Sequence, residues 1–138
     1  MRRGVALLCL LLFFFGCAHL QGWKDPELLR KRVRACWEAK AKGQWDRVYD
    51  RFLCKAYKDR ISRVAFISSA NLKVSGFEVG EIELRPEGRE AEVEVSFDTS
   101  VMGFDFKGIK LKERWLWQGG DWCLMPQEVR GLFEKGRR

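Results

Sequence analysis

The chain has 138 residues, 46% hydrophobic and 33% charged, with six Trp, ten Phe and a formal net charge of +7. That apolar and aromatic content excludes an intrinsically disordered chain and is enough for one packed domain. The basic excess is not organised as an aromatic–basic RNA motif, so nucleic acid is not an expected partner.

Taken in chain order, Arg2 and Arg3 precede an unbroken apolar run from Val5 to Phe15, followed by Gly16 and Cys17. Such a run suits the apolar core of a secretion leader and is too short to cross a bilayer, which takes roughly twenty apolar residues. The segment resembles a bacterial lipoprotein leader. That resemblance implies removal of residues 1–16, acylation of Cys17, and a short lipidated tether over residues 17–23. More than one acyl chain would then hold the protein to its membrane. Ala18, a residue other than Asp after the cysteine, is similar to Gram-negative lipoproteins sorted to the outer membrane. The expected location is therefore the cell envelope, on the periplasmic face of the outer membrane. Phe15 stands where a small residue is usual. Cleavage after Ala18, with Gly16 and Ala18 as the small pair, and an uncleaved apolar N-terminus are the other readings.

Residues 24–138 read as one domain with uneven charge. Residues 24–63 carry 13 basic and 6 acidic side chains, residues 64–100 carry 3 and 8, and residues 101–138 carry 8 and 5. Arg30, Lys31, Arg32 and Arg34 read either as a solvated helix face or as a contact for anionic headgroups and lipid A phosphates. The latter is worth about 1 kcal/mol per charge near a membrane surface. Asp25-Pro26-Glu27 is a helix start with a capping carboxylate, a first-turn proline and a dipole-complementing glutamate. Leu29, Val33, Cys36 and Trp37 follow at helical spacing, and Gly43 ends the helix. A second helix is predicted from Trp45 to Leu53, with Trp45, Val48, Tyr49 and Phe52 inward, and a third helical segment from Lys55 to Ser68.

After Ala70 the period changes to that of a strand. Phe77 and Val79 share one parity and Ile82 and Leu84 the other, which predicts a β-bulge at Gly80. Arg85-Pro86-Glu87-Gly88 reads as a turn. Ala91, Val93, Val95, Phe97 and Thr99 then alternate with polar residues as a half-buried strand. Met102 to Gly108 reads as a loop. Ile109 to Gln118 is a strand with Ile109, Leu111, Trp115 and Trp117 on one side, and Trp122 to Met125 a last strand stopped by Pro126. Val129, Leu132 and Phe133 suggest a final helical turn. Helices first and an antiparallel meander after them give an α+β class, with the N-terminal helices packed in a curved antiparallel sheet of about four strands.

Once Cys9 leaves with the leader and Cys17 is acylated, Cys36, Cys54 and Cys123 remain, an odd number in an oxidising compartment. At most one disulfide can form within the chain. Cys36–Cys54 is the candidate if the first two helices pack antiparallel; three buried thiols are the other reading. There is no CxxC, and the sole histidine, His19, lies in the tether, so neither a metal site nor a cofactor is expected.

Three stretches carry a family resemblance: Arg34 to Lys40 with the following Lys42-Gly43-Gln44-Trp45-Asp46, the alternating strand Ala91 to Phe97, and Lys112 to Leu124 with its paired tryptophans around Gly119-Gly120. Over Lys24 to Pro126 the chain resembles a nuclear transport factor 2-like domain, the cone-shaped fold also called cystatin-like. The resemblance implies a cone that often encloses a pocket, and dimerisation through the open sheet face. Some members are isomerases, dehydratases or cyclases, but no base-and-donor pair maps onto matching positions, so no catalytic residue is carried over. The aromatic set Trp37, Tyr49, Phe52, Trp115, Trp117 and Trp122 reads as core or as the lining of an apolar pocket. Glu113 falls on the inward parity, either as a carboxylate available for acid–base work or, in the plainer reading, as the partner of an arginine or the product of a parity slip at Leu116. The preferred functional expectation is a lipid-anchored, non-catalytic domain that binds a small apolar ligand or an envelope protein. The alternative is a small pocket enzyme using acid–base chemistry on an apolar substrate.

Overall fold

A computed structural model describes residues 22–85, 87 and 89–127. The leader, Cys17, most of the tether and the helical turn expected around Val129, Leu132 and Phe133 lie outside the described residues.

After a 3₁₀ turn over Gly22–Lys24, helix α1 (Pro26–Ala41) begins where the sequence signals it: the Asp25 side chain accepts from the Glu27 N–H at 3.0 Å, and Pro26 opens the first turn. Lys42 caps its C-terminus, and Gly43, at φ +68, turns the chain into helix α2 (Trp45–Phe52). The predicted third helical segment is two helices, α3 (Lys55–Lys58) and α4 (Arg63–Ser69). The division falls at Ser62, whose extended backbone and side-chain acceptance from the Ala65 N–H at 3.2 Å start a new helix.

Strands β1 (Val74–Arg85), β2 (Glu90–Val101), β3 (Phe104–Gln118) and β4 (Asp121–Met125) form an antiparallel sheet in the order β1-β2-β3-β4. The fold is α+β. The expected bulge is present: pairing passes from Val79↔Val95 to Ile82↔Val93, leaving Gly80 and Glu81 opposite Glu94. A Cβ at Gly80 would lie 3.2 Å from the Glu94 carbonyl oxygen, a close approach that favours glycine there. The loop expected over Met102 to Gly108 is instead mostly strand. Met102 and Gly103, at φ 52 and 81, make a two-residue hairpin turn, and Val101 pairs directly with Phe104.

The core lies between the helices and one sheet face. Leu29, Val33, Cys36 and Trp37 of α1 meet Val48 and Phe52 of α2 and Ala91, Val93, Val95, Trp115, Trp122 and Leu124 of the sheet. The opposite face carries cross-strand pairs, Lys112 Nζ to Glu92 at 3.1 Å, Lys110 Nζ to Glu94 at 3.5 Å, and Arg114 with Glu90. Ile109 and Leu111 are on the inner face as their parity predicts, yet stay 36% and 42% exposed, because their end of the hairpin extends past the core.

The disulfide joins Cys54 to Cys123, whose Cα atoms are 4.9 Å apart, and Cys36 is a free buried thiol. This corrects both the Cys36–Cys54 candidate and the alternative of three buried thiols. Cys36 sits on the stripe of α1 that faces the core, whereas Cys54 follows α2 and runs beside β4, where its N–H donates to the Leu124 carbonyl at 2.9 Å. The bond closes a sequence separation of 69. Replacing Cys54 and Cys123 together by serine should therefore lower stability by about 2–4 kcal/mol. Urea denaturation checks this, and an unchanged midpoint would rule the crosslink out.

Candidate functional site

Two residues one turn apart on α1, Trp37 and Lys40, face one residue of β3, Glu113. The Trp37 Nε1–H donates to Glu113 Oε1 at 2.9 Å, and Lys40 Nζ donates to Oε2 at 3.0 Å. The Lys40 ammonium also lies 4.1 Å from the centroid of the Trp37 ring. Both charges are nearly removed from water, with Lys40 8% and Glu113 5% exposed. Burial opposes the Lys40 charge, but the Glu113 carboxylate, through its charge and its hydrogen bond, outweighs burial and holds the ammonium above the ordinary lysine range. Neighbouring Cys36 is fully buried, and burial pushes its thiol from 9.0 up to about 12, with Glu113 adding to the rise and Lys40 and Arg32 opposing it.

This ion pair borders a cavity of about 520 Å³. Trp45 and Val48 of α2, Leu53, Phe66 of α4, Leu111 to Arg114 of β3 and Leu124 to Gln127 complete its wall. The lining is chiefly apolar, the usual character of a site for an apolar group. Of the aromatic and acidic set singled out in the sequence, Glu113 alone is a wall residue. Trp37 stands behind Lys40, and Trp115 and Trp122 are fully packed core. Phe52 is covered by the Arg32 guanidinium at 4.4 Å, and Trp117 packs edge-on to Trp122 at 5.6 Å. The Tyr49 hydroxyl points away, 2.7 Å from the Ile61 carbonyl and 3.3 Å from that of Lys58.

Lys40 is the residue that sequence reasoning missed. Its signal is plain afterwards: counting from Leu29 through Val33 and Trp37, Lys40 continues the buried stripe of α1 at helical spacing. A cation on such a stripe needs a partner, and the inward parity of Glu113 supplies one.

The basic cluster is divided. Arg30 Nη1 donates to the Val79 and Gly80 carbonyls, both at 2.9 Å, and Arg32 bonds the Trp122 and Arg51 carbonyls. Those two guanidiniums therefore serve the fold, and only Lys31 and Arg34 of the four are fully on the exposed side of α1. Among the described residues no group of three or more metal-ligating side chains gathers, and no helix is long and apolar enough to cross a membrane.

Two outcomes follow from this geometry. Lys40→Met alone should destabilise the domain by about 3–5 kcal/mol by stranding a carboxylate, and adding Glu113→Leu should recover most of that loss. Additive losses in urea titrations would show that the two charges are not coupled. The second concerns pH. A group whose folded pKa is raised stabilises the fold below its unfolded pKa, and that contribution is lost as pH climbs towards the folded value. For Cys36 the window runs from 9.0 to about 12, while the Lys40 contribution begins to be lost at the ordinary lysine value and is gone only above it. Stability should fall from about pH 9 in the native chain and from the lysine range in Cys36→Ala; an identical onset in both would exclude the thiol as the cause. No protein-family model matches the chain, and no curated protein matches it.

Proposed function

We propose that the chain is an exported, lipid-anchored envelope protein whose domain binds an apolar group without transforming it, and that its α+β arrangement is a nuclear transport factor 2-like cone. Helices followed by a four-stranded meander, with a cavity between the helices and the inner sheet face, support the fold reading. The observation that carries the functional reading is the state of the polar groups at that cavity. An acid–base enzyme on an apolar substrate needs a base and a donor within reach of the reacting atoms. Glu113, the one carboxylate in the lining, already accepts from Trp37 and Lys40 and has its charge matched inside the protein. The Tyr49 hydroxyl is committed to two backbone carbonyls outside the lining. What remains is an apolar recess with a fixed, neutralised ion pair at its wall, suited to binding.

The N-terminal half of the proposal is tested on protein extracted from its own membrane. Its intact mass should show loss of residues 1–16 and acyl chains on Cys17, and Cys17→Ser should leave the membrane fraction. A mass matching cleavage after Ala18 would replace the anchor by a free exported domain. The pocket is tested with the apolar fluorophore N-phenyl-1-naphthylamine. It should bind the native chain, and Leu111→Arg, a change at a half-exposed wall residue, should weaken it by about tenfold or more. Undetectable binding to the native chain would remove the ligand reading.

A further inference from the structure

The two edges of the sheet are treated differently. The β1 edge is broken by irregularities between Val74 and Gly76 and between Val79 and Ile82, and Arg30 occupies the carbonyls of Val79 and Gly80. Bulges and edge-directed charges of this kind discourage a further strand from pairing. On the other side, β4 pairs with β3 only from Arg114 to Gln118 and ends at Met125, followed by Pro126, which has no N–H to donate. The β3 edge from Phe104 to Glu113 thus has no strand beside it among the described residues. Gly108, at φ +64, interrupts it, which leaves Ile109–Glu113 as the regular stretch next to the cavity. Along the inner face of the same strand Phe104, Phe106, Ile109 and Leu111 are 70%, 47%, 36% and 42% exposed. An unpaired edge beside an apolar face is the arrangement by which sheets accept an added strand.

We infer that the β3 edge at Ile109–Glu113 is a docking site for an extended segment of a partner protein in which acidic and apolar residues alternate. The inference rests on the pocket reading above, since the segment's apolar side chains would cover Leu111 and reach the cavity. Charge selects the occupant. The outer face is acidic on β2, at Glu90, Glu92 and Glu94, and basic on β3, at Lys110, Lys112 and Arg114, with the two rows paired across the strands. A next strand sets its own outward residues beside Lys110 and Lys112, where opposite charges stabilise and like charges repel. A second copy is disfavoured on this ground, because two-fold pairing centred on Leu111 would place Lys110 of one copy opposite Lys112 of the other. Residues 128–138 carry four cations and two carboxylates, the wrong balance for the same place.

Position also argues for a protein over the anchoring bilayer. The domain's first described residues lie at the other end of the sheet, where Trp23 is 5.8 Å from the Arg89 guanidinium and Gly22 approaches Trp117. The Met102–Gly103 hairpin tip is a β2 length away, roughly 36 Å for a strand of twelve residues. An anchor at Cys17, as proposed above, would hold the end of the sheet from which the open edge extends away.

The test uses the full-length chain in nanodiscs and a short synthetic peptide alternating glutamate with valine and phenylalanine. It should bind about tenfold tighter than its lysine-for-glutamate counterpart, and Lys110→Glu with Lys112→Glu should reverse that order. N-methylating the peptide on its pairing edge should abolish binding, and bound peptide should slow amide exchange within Ile109–Glu113. Binding indifferent to N-methylation overturns the inference, as does slow exchange of the outward amides before any peptide is added, which would mean that a second copy or the chain itself fills the edge. N-phenyl-1-naphthylamine binding is read in parallel. If the dye binds and the peptide does not, the edge inference fails with the pocket intact; if neither binds, both readings fail.

Discussion

The pairing of Lys40 with Glu113 sets the relation between the long helix and the sheet. Two buried ions carry a desolvation penalty of several kcal/mol each, which their attraction offsets only when the geometry is good and the remaining polar atoms are bonded. Here both carboxylate oxygens receive a donor and the ammonium lies against an aromatic face. The interaction is also demanding about register. If β3 slipped by one residue, Lys112 or Arg114 would turn inward towards Lys40, setting cation against cation in the core, and the outer ladder with Glu90, Glu92 and Glu94 would be lost at the same time. If α1 rotated, Trp37 and Lys40 would leave Glu113 together, since they share one helix face. One contact thus fixes the rotation of α1 and the register of β3.

A second constraint closes the other side. The Cys54–Cys123 bond, the Cys54 N–H to Leu124 carbonyl hydrogen bond and the Leu53↔Leu124 bridge fasten the end of α2 to β4. Between this clamp and the ion pair the chain leaves a recess. The shortness of β4 explains why. Because β4 stops at Met125, the pocket wall is finished by Pro126 and Gln127 instead of by a strand, and the β3 edge beyond Arg114 is left open. Cavity and free edge have the same structural origin.

Much of the fold was legible because local signals agreed with one another. Asp25-Pro26, Gly43, the change of parity at Gly80 and the alternation of β2 each name a physical requirement that the structure meets. The failures are equally physical. Met102-Gly103 reads as part of a longer loop because methionine is an unusual residue at positive φ, so nothing local marks a tight hairpin there. The sequence does not single out Cys123 as the partner of Cys54, because their proximity depends on how β4 returns to the helices, a long-range fact with no trace in cysteine spacing. The site was half legible. The parity of β3 marked Glu113, and the helical period of α1 marked Lys40, but only packing joins them. Size is what places Trp37, Trp115 and Trp122 in the core and off the pocket wall.

The exposed end of the β2–β3 hairpin follows from a mismatch of lengths. Strand β3 has 15 residues and β2 has 12, whereas β4 has 5, and the buried residues of β3 are confined to Glu113 and Trp115. The inner face of the hairpin keeps its apolar alternation past the last residue that a helix covers. Were that projection only a spacer, polar residues on both faces would serve it better, since an apolar face in water favours association. Its outer face is already polar and internally paired, so hydration is available to the strand and is withheld from one side only. Selective apolarity, an unguarded edge on the same strand and a cavity at its root are three properties of one surface. The shortness of β4 places all three together, and together they suit a surface that is completed, as proposed above, by another chain.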